Sequence, residues 1–181
     1  MRVVAGALRG RRIESPQSDA TRPTTDKVRE AVFNSLISMG EVEGARVLDA
    51  FAGTGAMGIE ALSRGAAHCT FVERDRAALT VLRRNLETLD LGAVSTVSSS
   101  DAMSPTVLGG QFDIVIADPP YGFDDWSRLL SCIVAPLVIA ESDRTVSTPD
   151  DWEVVRERRY GRTMVTFLRR RPPATGTVSG E

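Results

Sequence analysis

Asp118-Pro119-Pro120-Tyr121 follows the apolar run FDIVIA (112–117) and carries a compact set of hydrogen-bonding groups. Successive prolines fix φ and lack N–H, so carbonyls in this turn meet few competing donors. A carboxylate beside a rigid carbonyl can accept both hydrogens of a flat –NH2 group. A neighbouring tyrosine can stack on the ring that bears it. Asp118, Pro119 and Tyr121 are therefore the candidate catalytic residues, with Pro120 and Tyr121 against the acceptor. Such a set aims a nitrogen lone pair at an electrophile.

Three further carboxylates fall where a ligand is held. Asp49 closes the strand-like ARVLDAF (45–51), Glu73 closes CTFVE (69–73), and Asp101 follows Ser98–Ser100. Between the first two lies Gly53-Thr54-Gly55-Ala56-Met57-Gly58, a G-x-G-x-x-G turn between a strand and a helix. Read literally this is a dinucleotide fingerprint, with Glu73 on a ribose. The same turn serves S-adenosylmethionine. Asp49 favours the second reading, because an acid there repels a pyrophosphate and suits a sulfonium and an ammonium. Asp101 can accept from an adenine amine. Each acid has a plainer reading as well: a turn cap, a helix N-terminal acid, an Asx turn. Together, at the ends of three successive strands, they read as a ligand site. Methyl transfer from a sulfonium needs mainly alignment, with the nucleophile at about 3–3.5 Å.

Positioning these groups requires strands alternating with helices. Residues 1–14 read as a hairpin, Val3–Ala5 with Arg11–Glu14, and residues 15–24 as a loop. Thr24 or Thr25 caps a helix over 26–38, whose apolar residues have helical spacing. A strand at 46–51, a helix at 57–63, a strand at 69–73 and a helix from Asp75 to Asp90 follow. Then come a serine-rich strand at 94–98, a strand at 112–117, a helix at 125–132 and a strand at 137–141. Trp152–Arg159 and Arg162–Arg169 pair as a closing hairpin across Tyr160-Gly161. The expected fold is α/β, a doubly wound and mostly parallel seven-stranded sheet with an antiparallel C-terminal hairpin. Residues 1–40 form an N-terminal extension, 41–171 the main domain, and 172–181 a disordered tail.

At 181 residues the chain fits one domain. No apolar run reaches the ~20 residues of a membrane span, and the N-terminus lacks a leader's apolar stretch. Cys69 and Cys132 show no metal-ligand spacing and read as buried thiols in a reducing cytoplasm. With His68 as the sole histidine, no metal site is expected. The net charge of −2 hides a polarity. Residues 1–30 hold seven bases against four acids, and residues 156–171 hold seven arginines against Glu157. Basic ends flanking an acidic middle suit phosphate contacts, or merely a solvated strand face. Arg9, Arg11 and Arg12 are the first candidates for phosphate contact.

The resemblance to one family is specific. Asp118–Tyr121 looks like the [DNS]-PP-[YFW] motif of amino-directed methyltransferases, and LDAFAGTGAMGIEALSRGA (48–66) resembles their cofactor motif. RVVAGALRGRRIESP, TRPTTDKVREAVFNSL (21–36) and RYGRTMVTF (159–167) resemble the RsmD-type 16S ribosomal RNA guanine-N2 methyltransferases. The likeness spans about residues 2–168. It implies a Rossmann-like class I methyltransferase using S-adenosyl-L-methionine. It places Asp49, Gly53 and Gly55 at the methionine end, with Ala50, Phe51 and Thr54 beside them. It places Glu73 and Arg74 at the ribose, Asp101 and Ala102 at the adenine, and Asp118 between cofactor and target guanine. Arg22, Thr24 and the helix from Asp26 would lie over the site, and Glu141 matches an acidic position of the family. It also implies a cytoplasmic enzyme, a monomer by expectation. Its partner would be 16S rRNA in the small subunit or an assembly intermediate, with no membrane and no metal.

Two other classes compete. The same amino-methyl chemistry could act on adenine N6 or on a protein glutamine, although such enzymes usually carry a further recognition domain. A nicotinamide-binding oxidoreductase could use the glycine turn, and would ignore S-adenosylmethionine.

Overall fold

A computed structural model describes residues 1–15 and 26–172. The expected cap at Thr24 or Thr25 and the expected tail beyond Pro172 lie outside the described residues. The elements are α1 (Asp26–Ser38), β1 (Arg46–Asp49), α2 (Ala56–Ser63), β2 (His68–Val72), α3 (Arg76–Thr88), β3 (Ser95–Ser98), α4 (Pro105–Leu108), β4 (Ile114–Ala117), α5 (Trp126–Cys132), β5 (Leu137–Ser142), β6 (Trp152–Tyr160) and β7 (Thr163–Arg170). They build one seven-stranded sheet in the order β3-β2-β1-β4-β5-β7-β6. The first five neighbours are parallel, and β7 enters antiparallel to β5 and β6.

Alternation sends side chains to both faces, and both faces are covered. Val47, Phe71, Ile114, Ile116 and Ile139 pack under α1, α2 and α3. Leu48, Val72, Val115 and Val138 pack under α4 and α5 with Trp126 and Leu129. The α3 stripe of Ala78, Leu79, Leu82 and Leu86 buries as its spacing requires. Asp75 caps this helix, its carboxylate accepting from the Ala78 N–H at 2.8 Å.

Three local differences from the sequence expectation have physical causes. The N-terminal hairpin reduces to one bridge, Arg2 with Arg12. Its outer amides turn instead to α2, where Val4 and Ala5 donate to Glu60. The closing turn is Gly161-Arg162, because Tyr160 already pairs with Thr163; Gly161, at φ 61°, supplies the left-handed backbone this tight reversal takes. The short helix α4 was not expected, and Pro105 opens it from the N1 position. Cys69 is buried, whereas Cys132 is only half-buried. Among the described residues, no helix is long and apolar enough to cross a membrane.

Candidate functional site

The order of the sheet reverses direction between β1 and β4, the switch point at which open α/β sheets take ligands. A cleft of about 990 Å3 opens there, along the carboxyl edge of the strands. Asp49, Glu73, Asp101, Asp118 and Glu141 all line it, one from the end of each parallel strand in turn.

The half beyond β1, β2 and β3 is built around backbone amides. Asp49 is buried, and its Oδ2 accepts from the Gly58 N–H at 2.9 Å, inside the first turn of α2. Glu73 Oε2 accepts from Gly53 N–H at 2.8 Å, while its Oε1 takes the Arg74 and Asp75 amides at 2.8 and 2.7 Å. Glu73 thus ties the glycine turn to the start of α3 and still has lone pairs to offer a ligand. Asp101 is exposed, and its carboxylate accepts from Met103 N–H at 2.9 Å. All three acids therefore fill the plain structural role read from their positions and face the cleft as well. Burial raises the Asp49 carboxyl to about 7, against the pull of the Gly58 amide, and the charges of Asp118 and Glu73 push it further. Three carboxylates converge on one part of the cleft, which disfavours an anion and favours a cation.

Gly58 explains the third glycine of the motif. A Cβ there would stand 2.3 Å from the Phe71 ring and 2.6 Å from Cys69 Sγ, so only glycine lets α2 lie this close to β2.

The other half belongs to β4, β5 and β7. Asp118 and Pro119 are half-buried, and Tyr121 stands 62% exposed at the mouth. The Pro120 carbonyl accepts from Phe123 N–H at 3.2 Å and closes the turn. Phe123 then lies edge-on to Phe51 and to Trp126, with centroids at 5.8 and 5.2 Å, locking the Asp118 turn onto the loop after β1. Such a turn is rigid, so what it presents is already oriented. Glu141, Ser142, Asp143, Tyr160 and Thr163 complete this wall.

The N-terminal segment reaches the cleft through Met1, Ser15 and Val28. A buried ionic cluster holds it there. Glu60 on α2 takes Arg29 Nε at 3.2 Å and Arg64 Nε at 2.7 Å in addition to the two amides. Asn85 on α3 donates to the Thr54 and Glu14 carbonyls and accepts from Glu14 N–H, linking the segment to the glycine turn.

Of the sequence-derived site residues, Asp49, Ala50, Phe51, Gly53, Thr54, Glu73, Arg74, Asp101, Ala102, Asp118, Pro119, Pro120 and Tyr121 all line this one cleft. Gly55 does not; it faces Leu82 and Ile59 and packs the turn from behind. Arg9, Arg11 and Arg12 are exposed outside the lining, and Arg22 and Thr24 lie outside the described residues. Tyr160, Thr163, Glu60 and Asn85 went unread. A strand antiparallel to the last parallel one must turn at its carboxyl edge, and that rule locates Tyr160 and Thr163. Among the described residues no acid, cysteine and histidine cluster could hold a metal ion.

Comparison with known proteins extends over most of the chain. Residues 1–169 match the family model described as "Conserved hypothetical protein 95". The Haemophilus influenzae protein named ribosomal RNA small subunit methyltransferase D is 34% identical over 174 residues, 89% of each chain. Its Escherichia coli namesake is 44% identical over 121 residues, 67% of this chain and 60% of that protein. The solved structure of Escherichia coli yhhF superposes with a TM-score of 0.82 at 34% identity, covering 95% of this chain and 98% of that one.

Proposed function

The chain belongs to the conserved hypothetical protein 95 family, that of the RsmD-type ribosomal RNA methyltransferases, and from that premise we propose that it methylates the exocyclic N2 of a guanine in 16S rRNA. The methyl donor is S-adenosyl-L-methionine, which supplies an electrophilic methyl group on a sulfonium. The observation that carries this reading is the convergence of Asp49, Glu73 and Asp118 on the glycine-turn cleft. A pyrophosphate would meet three like charges there, so a nicotinamide cofactor does not suit it. A donor with a sulfonium and an ammonium relieves them.

In this reading Asp49, Ala50, Phe51, Gly53 and Thr54 hold the methionine end, with Gly55 shaping the turn from behind. Glu73 and Arg74 hold the ribose, and Asp101 and Ala102 the adenine. Asp118 accepts one hydrogen of the guanine amine and the Pro119 carbonyl the other, while Tyr121 covers the base. The nitrogen lone pair would then face the donor's methyl carbon; the N–C bond would form as the S–C bond breaks, the donor would leave as a neutral thioether, and the cationic amine would lose its extra proton to water. Asp118 needs to accept a hydrogen bond rather than act as a strong base. The guanine must be unstacked to enter, from a loop or by flipping. Residues 1–40 serve as an extension framing the acceptor end and residues 41–171 as the catalytic domain. Arg9, Arg11, Arg12, Arg22 and Thr24 touch RNA. The enzyme acts as a monomer in the cytoplasm, on the small subunit or its assembly intermediate.

The test offers tritiated S-adenosylmethionine with small subunits from cells lacking this enzyme, naked 16S RNA, duplex DNA and a protein extract. Label in N2-methylguanosine from rRNA is expected. Label in N6-methyladenine or in protein overturns the substrate, and saturable NAD binding without S-adenosylmethionine binding overturns the cofactor.

A further inference from the structure

The closing hairpin carries a function that the cleft residues alone do not account for. Because β7 runs antiparallel to β5, pairing Ser142 with Met164, its turn emerges at the carboxyl edge of the parallel strands. That edge is the mouth of the cleft, and Tyr160 and Thr163 on either side of the turn line its wall. Arg158, Arg159 and Arg162 surround the same turn and are exposed. Among the described residues none of the three has an acidic partner. Further along the hairpin, Arg169 pairs with Glu41 at 2.5 Å and Arg170 with Asp151 at 2.9 Å, and Arg156 donates to Ser35 at 2.8 Å. Pleating puts Arg158 on the face of its partner Val165 and Arg159 on the face of Met164, so the cations straddle the ribbon, with Arg162 at its tip.

The acceptor end of the cleft is otherwise acidic, with Asp118, Asp124, Glu141 and Asp143 along it. Polyanionic RNA must approach this mouth if one base is to enter. Arg9 and Arg11 of the N-terminal segment are held away from this end of the cleft. Arg11 donates to the Thr88 carbonyl at 2.8 Å, at the far end of α3 from the cleft. A 13-residue helix puts that point about 20 Å away. The turn carrying Arg9 is anchored by Ala7 N–H on the Ser63 carbonyl at 2.7 Å, at the last residue of α2. The β6–β7 turn sets three exposed arginines beside Tyr160 and Thr163 at the acceptor end, whereas Arg74 lines the opposite half of the cleft.

We propose that the β6–β7 turn is an RNA-backbone clamp. Arg158, Arg159 and Arg162 take the phosphates flanking the target nucleotide, and Tyr160 and Thr163 wall the nucleotide itself. The inference rests on the reading of the protein as an rRNA base methyltransferase and adds the surface that grips the strand.

The experiment compares the wild type with R158A/R159A/R162A, R158K/R159K/R162K and R9A/R11A/R12A. Small subunits and naked 16S RNA serve as acceptors over a potassium chloride series. Affinity for S-adenosylmethionine alone and the melting curve report whether each variant is folded. The clamp predicts that the hairpin alanine variant loses tenfold or more in kcat/KM for RNA. The slope of log affinity against log salt falls by roughly 2 to 3, about one per lost phosphate contact. Cofactor affinity stays at the wild-type value, and the lysine variant recovers most of the slope. A hairpin alanine variant with the wild-type slope overturns the clamp, as does a loss confined to R9A/R11A/R12A. A wild type that labels no rRNA overturns instead the reading beneath it, so the two failures are distinct.

Discussion

Asp49 Oδ2 sits 2.9 Å from the backbone nitrogen of Gly58, so a buried strand-end carboxylate caps the helix that opens beside the cleft. The same carboxyl is raised to about 7 by its burial and by Asp118 and Glu73. In the free enzyme it holds a proton below that pH. A cationic donor favours the ionised form, so binding at lower pH must expel the proton. Affinity for S-adenosylmethionine should fall as pH drops below 7, approaching tenfold per pH unit. Titration calorimetry from pH 5.5 to 8 should show this slope. Asp49→Asn should bind more weakly at pH 8 and lose the slope. A flat wild-type profile would count against the assignment.

The same group sets a stability trend in the unliganded protein. Its carboxyl titrates near 3.9 when unfolded and near 7 when folded, so between those values only the native state holds the proton. Stability contributed by Asp49 is thus full below the lower value and is lost as pH rises through the window. Urea denaturation of wild type against Asp49→Asn should show the wild type losing ground steadily from pH 4 to 7. Parallel curves would exclude a raised Asp49.

Asp118 and Glu73 should separate chemistry from binding. Asp118→Ala removes an acceptor for the amine and leaves in place the bonds of Gly53 to Glu73 and of Gly58 to Asp49. Methyl transfer should fall by two orders of magnitude or more, with cofactor affinity within a few-fold of wild type. Glu73→Ala frees three backbone amides, Gly53, Arg74 and Asp75. It should weaken cofactor binding first and cost roughly 1–3 kcal/mol of stability. Normal turnover by Asp118→Ala would refute the amine site.

Gly58→Ala tests the packing behind the turn. Alanine would gain about 1 kcal/mol of helix propensity. Against this, its methyl would meet the Phe71 ring and Cys69 Sγ at distances no real contact shows. Overpacking of this kind costs about 1–3 kcal/mol or more, and the clash should win. A melting temperature equal to or above wild type would show that β2 yields.

Most of the fold and the cleft were readable in advance because strand ends, glycines and prolines act locally. The periodicity of 26–38 gave α1 its observed bounds, and the carboxylates at three strand ends fell together because parallel strands share a carboxyl edge. What was hidden depends on tertiary partners. Arg29 is one of the seven bases of residues 1–30, with nothing local to mark it, yet it is wholly buried because Glu60, thirty-one residues away, receives it. Asn85 interrupts an apolar helix face without any local reason; its reason is the Thr54 and Glu14 carbonyls. Arg11 also donates to the carbonyl end of α3, where a cation suits the helix dipole, a contact no local pattern announces.

Glu60 should prove the least replaceable residue outside the cleft. Its carboxylate is fully buried and has four partners: the Arg29 and Arg64 side chains and the Val4 and Ala5 amides. Glu60→Ala leaves two guanidiniums without their shared counter-charge, a change that costs about 3–5 kcal/mol in buried pairs. Replacing the ionic partners together by apolar residues often repairs such a loss. Here E60L combined with R29M and R64L should fail to do so, because Val4 and Ala5 would still lack acceptors. Urea denaturation should place both variants well below wild type. Hydrogen exchange should show the amides of Val4 and Ala5 opening first, ahead of those in β1 and β4. Recovery of wild-type stability by the apolar triple variant would mean the cluster does not tie down the N-terminal segment.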